Sequence, residues 1–480
     1  GRSSWYPTAV PSKSAPLTAH SPVGGAATNP VVPAAAVQPT TGNTPTSHAP
    51  AYAQLETRPI DLPTVFLLVD ANSPTVGFAR ARVAEAQARV AQAEVQWLPN
   101  LTFGAAYNRY DGQTQNQRGE VFGVSRANLF YGGGPGLTLN VADALYGPLV
   151  ARRVRSAAQF QAAAAAITAE QDAALAYLDL VQLHAQLEIN ADTLARAEEL
   201  LRGAENAKQF NLDRTAGDVN RAKTEVLLRR TERLDLEARA SAVSARLGRL
   251  LYIQPNVRLV PADRAVAPFT LVDPSQSIDD LLATATANRP DLAAGREAVA
   301  AAWQRVRQAQ REPFIPKVAI QNQTGSFGGG VNDDLSNFSA RNALSVQLFW
   351  EVRNLGLGNR AAVAERRALT DQARYQLADA QARAAAEVVE AAQTAVAKFA
   401  AIAPAEEAVK EATELYRINR SGTQNLVDTK NLFDALRPLQ SIQALNTARL
   451  NYLNAVTDHN RAQLRLLAAV GTPPAATPAR

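Results

Sequence analysis

One stretch of this chain occurs twice, and that constrains its fold more than any other feature. Leu62, Val65, Asn72, Pro74 and Val83 recur as Ile278, Leu281, Asn288, Pro290 and Val299, all displaced by 216 positions without a gap. After one inserted residue, Pro99, Asn100, Leu101, Thr102 and Phe103 fall on Pro316, Lys317, Val318, Ala319 and Ile320, and Tyr110 falls on Phe327. An internal repeat takes precedence over local readings. A duplication of this length within 480 residues implies two halves of one structure.

Both copies share a grammar: a short helix, an Asn-x-Pro break, an Ala/Arg/Gln-rich helix, a proline, then a change of period. Val83, Ala86, Val90, Ala93 and Trp97 step by three and four, which places them on one helical face. Beyond Pro99 the period becomes two. Leu101, Phe103, Ala105 and Tyr107 alternate with Thr102, Gly104, Ala106 and Asn108, the pattern of a strand with one apolar face.

The remaining chain is read in the same terms. Residues 1–58 are rich in Pro, Ala, Ser and Thr without hydrophobic period and predict a flexible tail. The first repeat spans 59–276, with a strand from Leu101 to about Tyr110, a polar loop from Asp111 to Gly119, and a return strand between Val121 and Leu145. Tyr131-Gly-Gly-Gly-Pro-Gly136 is expected to interrupt or bulge that return strand. Leu180, Leu183, Leu187, Leu194 and Leu201 lie on a heptad seam in a helix from Pro148 to about Phe210, roughly 90 Å long. Gly217 marks a break, a returning helix follows to about residue 250, and Pro255 to Pro274 form a connector. The second repeat, 277–471, has a strand from Lys317, a loop from Gly328 to Asp334, and a strand from Ala343 to Trp350. A long helix from Gly358 to Arg420 is expected to kink at Pro404. After Gly422 a last helix, perturbed at Pro438, reaches about Val470, and 472–480 form a tail.

Composition narrows the classes. Lysine and arginine number 49 against 44 acidic residues, a net charge of +5, and the arginines are interleaved with Glu and Asp, so no nucleic-acid partner is implied. Cysteine is absent from these 480 residues, so no disulfide, thiolate metal site or lipid-bearing cysteine is expected within them. Methionine is absent too, so Gly1 is expected to be a processed end or an edge of a longer chain. No run approaches the roughly 18 apolar residues of a membrane helix, so a membrane-spanning reading requires strands.

Four strands with an apolar face cannot close a barrel, and an open sheet is not viable in lipid. Completion by copies of the chain gives eight strands in a dimer, or twelve strands and twelve long helices with the beginnings of a lumen in a trimer. The competing reading is a soluble coiled-coil structural or adaptor protein of the cell envelope.

Several motifs now carry a family resemblance. Asn288-Arg-Pro-Asp-Leu292 after a short helix, the proline opening each strand, Gly422-Thr-Gln-Asn-Leu-Val-Asp428, Ala448-Arg-Leu-Asn-Tyr-Leu-Asn-Ala-Val456 and Arg465-Leu-Leu-Ala-Ala-Val-Gly471 resemble the TolC-type outer membrane efflux proteins over about Leu62 to Gly471. The resemblance implies a homotrimeric, non-enzymatic exit duct, mainly α with a membrane β-barrel. A twelve-stranded barrel in outer membrane lipid would stand on a twelve-helix periplasmic tunnel, serving an efflux or type I secretion system. It implies as partners a periplasmic adaptor and an inner-membrane pump, with adaptor contacts at the turns around Gly217 and Gly422. It also implies acidic residues at a periplasmic aperture. Carried over by position these are Asp218 and Asp428, while a further acidic position three residues on is Asn431 here. The aperture is therefore expected to be less acidic than in other members.

Asp218 and Asp428 follow glycines closely and read equally as first-turn acids complementing a helix dipole. Arg214, Arg221, Arg417, Arg420 and Lys430 are candidate partners for them, with Arg420 the candidate gating base. Trp97, Tyr107 and Trp350 suit a membrane-boundary girdle or an equatorial core. His184 and His459 have no second ligand at i+3 or i+4, Tyr131 to Gly136 lacks the Lys-Ser/Thr of a phosphate loop, and Asp333-Asp334 lacks EF-hand spacing. No catalytic constellation, metal or cofactor is expected.

Overall fold

The computed structural model of the protein describes residues 56–210, 216–263, 266–332, 334–426 and 436–474. The short helices α1 (Leu62–Asn72) and α5 (Ile278–Asn288) are capped by Asp61, which accepts from the Thr64 amide at 3.0 Å, and by Ser277, which accepts from the Asp280 amide at 3.1 Å. Each hands over to a longer helix that starts on proline, α2 (Pro74–Glu94) or α6 (Pro290–Arg311). The residue between, Ser73 in one copy and Arg289 in the other, adopts nearly the same extended conformation, φ −62°, ψ 123° against φ −64°, ψ 118°. A following proline forces that conformation. The recurrence of Asn-x-Pro in the sequence is thus a recurrent helix break.

Each break leads through a three-residue 3₁₀ turn to a hairpin: β2 (Asn100–Gln115) with β3 (Val121–Asn140), and β5 (Lys317–Val331) with β6 (Ser339–Phe349). The hairpins join through β3 and β5 into one antiparallel sheet of order β2-β3-β5-β6. Three expectations are corrected here. Strand β2 continues through the polar Asp111 to Gln115, and the turn is confined to Asn116–Glu120. Gly328 to Gly330 belong to β5 rather than to a loop. Tyr131 to Gly136 neither interrupt nor bulge β3, since its register with β2 is unbroken. A Cβ on Gly132 would run into the Thr324 carbonyl, and one on Gly325 into the Tyr131 carbonyl, so β3 and β5 approach as only glycine permits.

The long helices follow. α3 (Val141–Phe210) has 70 residues, about 105 Å of helix. It begins seven residues before the expected Pro148, which sits inside the first turns without an amide to offer Ala144. α4 (Ala216–Leu250) returns along it. In the second half, α7 (Leu357–Ala400) and α8 (Ile402–Leu426) are separated at Ala401. That is the break expected from Pro404, whose ring is accommodated in the first turn of α8. Pro438 lies within α9 (Leu436–Ala469), which runs as one helix from Leu436 onwards among the described residues. Gly217 and Gly422 lie within α4 and α8 and do not themselves terminate a helix.

Around α3 pack α2 and α6 towards the sheet, and α4 and α9 farther along. α9, between α3 and the α7/α8 column, buries Leu445, Val456, Leu464 and Leu466 together with the polar Asn446, His459, Asn460 and Gln463. Two of these hold the connector between the repeats: Asn460 accepts from the Phe269 amide at 3.0 Å and donates to the Ala267 carbonyl at 2.9 Å, and Gln463 accepts from the Leu271 amide at 3.1 Å. The connector also contains β4 (Val257–Pro261), which pairs in parallel with β1 (Glu56–Ile60). The expected N-terminal tail to residue 58 therefore gives way to a strand at Glu56. Ile60, Val257 and Leu259 join Val65, Val69, Tyr177, Leu180, Leu247 and Leu251 in a core beside the middle of α3.

Candidate functional site

Register divides the sheet into two chemically distinct faces. Residues opposite each other in antiparallel strands share a face, so Leu101, Phe103, Ala105 and Tyr107 of β2 lie with Pro135, Tyr131 and Leu129 of β3. Through Leu137 and Leu139 that face continues to Ile320 and Val318 of β5, and to Val346, Leu348 and Leu344 of β6. It is apolar and open: Phe103 is 81% exposed, Leu101 69%, Leu344 70% and Val346 64%. The other face carries Asn100, Thr102, Asn108, Asn128, Thr138, Gln321, Gln323, Ser345 and Gln347. An exposed apolar face of this extent has no place in water. Among the described residues, both outer strands, β2 and β6, also present an unpaired edge.

Trp97 closes the 3₁₀ turn before β2 and Trp350 follows β6, so the two indoles stand at the helix-side margin of the sheet, both partly exposed. Phe314, before β5, is exposed at the same margin. Tyr107 lies seven residues into β2, about 23 Å from that margin, on the apolar face. The expected aromatics are therefore split between two levels.

At the other end of the helices, Asp218 stands in the first turn of α4, buried, and accepts from Arg221 Nη1 at 3.1 Å. Arg221 is one of the candidate partners that the sequence suggested for it. Arg420 differs. Its guanidinium donates to Glu199 of α3 at 2.8 Å, not to Asp218, while Arg417 is held by Glu414 at 2.6 Å. Asp428 and Asn431, with Arg214 and Lys430, lie outside the described residues. Glu199 was not singled out in the sequence, because nothing local couples it to a residue 221 positions away.

Between these ends a ladder of polar contacts joins α3 to α9. Arg461 donates to Asp179 at 2.6 Å and to Gln182 at 2.5 Å, Gln182 donates to Asn454 at 2.7 Å, and Thr193 donates to Asn446 at 3.1 Å. Asp192 receives both Arg196, at 2.9 Å, and Arg449. Burial works against the Asp192 charge, but the hydrogen bonds from the two arginines outweigh it and hold the carboxyl below the usual range. Farther along, Glu225 is buried and bound by Arg229 at 2.7 Å and by Gln443 at 2.9 Å. No group of three or more metal-ligating side chains occurs among the described residues, and no helix there is long and apolar enough to cross a membrane.

The amphipathic sheet built from two matched hairpins and extended by paired long helices is an architecture shared with solved outer membrane channels. The chain matches the outer-membrane channel OprN with a TM-score of 0.68 at 17% identity, over 85% of this chain and 89% of that one. It matches the outer membrane protein VceC of Vibrio cholerae with a TM-score of 0.63 at 21% identity, over 86% and 96%. The open state of the Neisseria gonorrhoeae MtrE outer membrane channel matches at 0.64 with 15% identity, over 86% and 89%. No family model and no curated protein sequence matches the chain. The fold is the TolC-type fold that the sequence motifs implied.

Proposed function

We propose that this protein is an outer membrane exit duct of an efflux or type I secretion system, in which three copies close a twelve-stranded barrel above a helical tunnel that extends into the periplasm. The observation that carries this reading is the open apolar face running across all four strands, bounded by unpaired edges on β2 and β6. Lipid removes the cost of the face, and β6 of one copy pairing β2 of the next removes both edges. The helices α4 and α8, which flank the chain's helical layer, would meet in the same way. The two repeats, 59–276 and 277–471, then contribute equivalent hairpins and helix pairs. In this reading Trp97 and Trp350 lie at the periplasmic lipid boundary, the aperture is lined by Asp218 and Asp428, and a periplasmic adaptor leading to an inner-membrane pump engages the turns near Gly217 and Gly422. The soluble stalk reading leaves the apolar face unexplained.

The chain has no cysteine, so engineered disulfides report without background. A scan pairing one cysteine in β2 with one in β6 is expected to link detergent-purified protein covalently into trimers. A protein that stays monomeric and soluble without detergent would sink the proposal.

A further inference from the structure

The polar face of the sheet carries three ionisable basic residues, Arg126, Lys317 and Arg341, and none of the residues that β2, β3, β5 and β6 place on that face is Asp or Glu, the one carboxylate of these strands, Asp111, lying on the opposite face. Three basic groups on and around the sheet are matched by carboxylates. Arg109, on the opposite face, is held by Asp111; Lys317 is held by Glu351 just past β6; Arg353 donates to Glu312 at 2.8 Å. Arg126 and Arg341 differ: no carboxylate among the described residues reaches either of them. Instead each guanidinium lies over an aromatic ring of the same face, Arg126 at 5.7 Å from the Tyr110 centroid and Arg341 at 5.0 Å from that of Phe327. Such stacking positions the side chain and leaves its charge uncompensated.

We propose that this face is an anion-selective lining, with Arg126 and Arg341 drawing negatively charged solutes through the sheet-built part of the duct. The inference rests on the trimeric duct proposed above, because only there does the polar face enclose a lumen, its apolar counterpart being turned to lipid. Closure by copies of the same chain brings no carboxylate to the lining, since every copy presents the same face. It brings six guanidinium groups in two tiers. Arg126 is in register with Val331 and Arg341 with Gly325, six residues apart on β5, or about 20 Å along the strand. One sign of charge against low-dielectric walls concentrates counter-ions. A lumen potential of about one kT, small beside the several kT such clefts reach, enriches anions over cations about seven-fold. The chemistry fits acidic solutes, carboxylates and phosphates alike, rather than cationic ones.

The test is the reversal potential of the full-length protein in planar bilayers under a potassium chloride gradient. Arg126→Gln with Arg341→Gln is expected to lower the chloride-to-potassium permeability ratio at least about three-fold, with the tip, identical in both proteins, cancelling from the comparison. Arg126→Lys with Arg341→Lys should keep the ratio, and raising salt from about 0.1 to 1 M should depress the wild-type ratio as the screening length contracts. Millimolar tripolyphosphate added from the hairpin side should block the wild type and not the Gln variant. A ratio that ignores the Gln substitutions and salt, or that falls equally in the Lys variant, overturns the inference while the duct stands. Wild-type protein that forms no channel overturns the duct itself.

Discussion

Arg289 and Gly471 meet so closely that a Cβ on the glycine would lie 2.8 Å from the Arg289 Cα. Gly471 has φ +85°, a left-handed conformation that ends α9 after the Gly471 amide bonds the Ala468 carbonyl. Arg289 in turn donates to the Ala469 carbonyl at 3.2 Å, to Asp291 at 2.8 Å and to Glu387 of α7 at 2.6 Å. Two motifs that stand far apart in the sequence, Asn288-Arg-Pro and the terminal Ala-Val-Gly471, are thus the two sides of one contact.

Gly471→Ala should cost about 1–2 kcal/mol from the left-handed backbone alone, and more from the collision with Arg289. The measurement is the denaturation midpoint of detergent-solubilised protein. Arg289→Lys, which keeps one charge but cannot serve Asp291, Glu387 and the Ala469 carbonyl together, should also lower it. Unchanged stability in both variants would mean that the contact forms without contributing.

The architecture was legible in the sequence wherever a period or a constraint was local. The alternation from Leu101 to Tyr107 and from Leu344 to Trp350 survives as the apolar face, and Pro404 marks the α7/α8 break because a proline ring acts on the turn before it. The extension of β2 through Asp111 to Gln115 left no such signal, since a hairpin protruding beyond an apolar belt needs neither apolar residues nor alternation. Strand β1 was hidden for a different reason. Its five residues, Glu-Thr-Arg-Pro-Ile, are stabilised by β4, some 200 positions away, and a short parallel pair has no period to read. The partner of Arg420 was equally invisible, because the groups facing a helix are chosen by tertiary packing.

The glycines facing each other across β3 and β5 make a second prediction. Gly132→Val places a branched side chain where the Thr324 carbonyl and Gly325 Cα already stand, so the strands must separate. An overpacked substitution of this kind costs about 1–3 kcal/mol, and here it also disturbs the junction of the two hairpins. Trimer yield after detergent extraction should fall sharply, whereas Gly123→Val in β3, where nothing lies within 4 Å, should leave it intact.

Two pH effects follow from the helical seam. Asp192 titrates below its ordinary value in the folded chain, where hydrogen bonds from Arg196 and Arg449 overcome the effect of burial. A carboxylate depressed on folding contributes stability that is present above the unfolded value near 3.9 and is lost as pH falls through the folded one. Asp192→Asn should therefore lower the melting temperature at pH 7, and the gap to the wild type should close below about pH 4. A gap constant across that range would deny the charge any part in it.

His459 acts at milder pH. Its ring is buried in α9, 5.3 Å from Phe399 and near the Lys398–Asp458 ion pair, and burial pushes the imidazole below its usual value although backbone groups of Phe269 and Ala395 oppose the shift. The unfolded chain then binds a proton that the folded chain does not, so stability falls as pH drops below about 6.5 and until the folded value is passed. Melting temperatures compared at pH 7.5 and pH 5 should show this loss in the wild type and a smaller one in His459→Phe. Equal losses would place the acid sensitivity elsewhere.

The Arg420–Glu199 pair makes the prediction that bears most directly on gating. Both side chains are about half exposed, so their bond contributes little to overall stability, on the order of half a kcal/mol. Its position matters more than its strength. Arg420 is six residues from the described end of α8 and Glu199 eleven from that of α3, so the bond ties the second repeat to the first beside the proposed aperture. If opening moves α8 away from α3, the bond exists only in the closed arrangement, and its loss shifts the equilibrium by its full worth, about two-fold in the open-to-closed ratio. Arg420→Ala and Glu199→Gln should each raise mean conductance in planar bilayers by about that factor, with melting temperatures little changed. Because each substitution removes the same bond, the double variant should conduct no more than either single one. Additive effects, or conductance that neither substitution moves, would leave the pair a surface contact and free the gate from it.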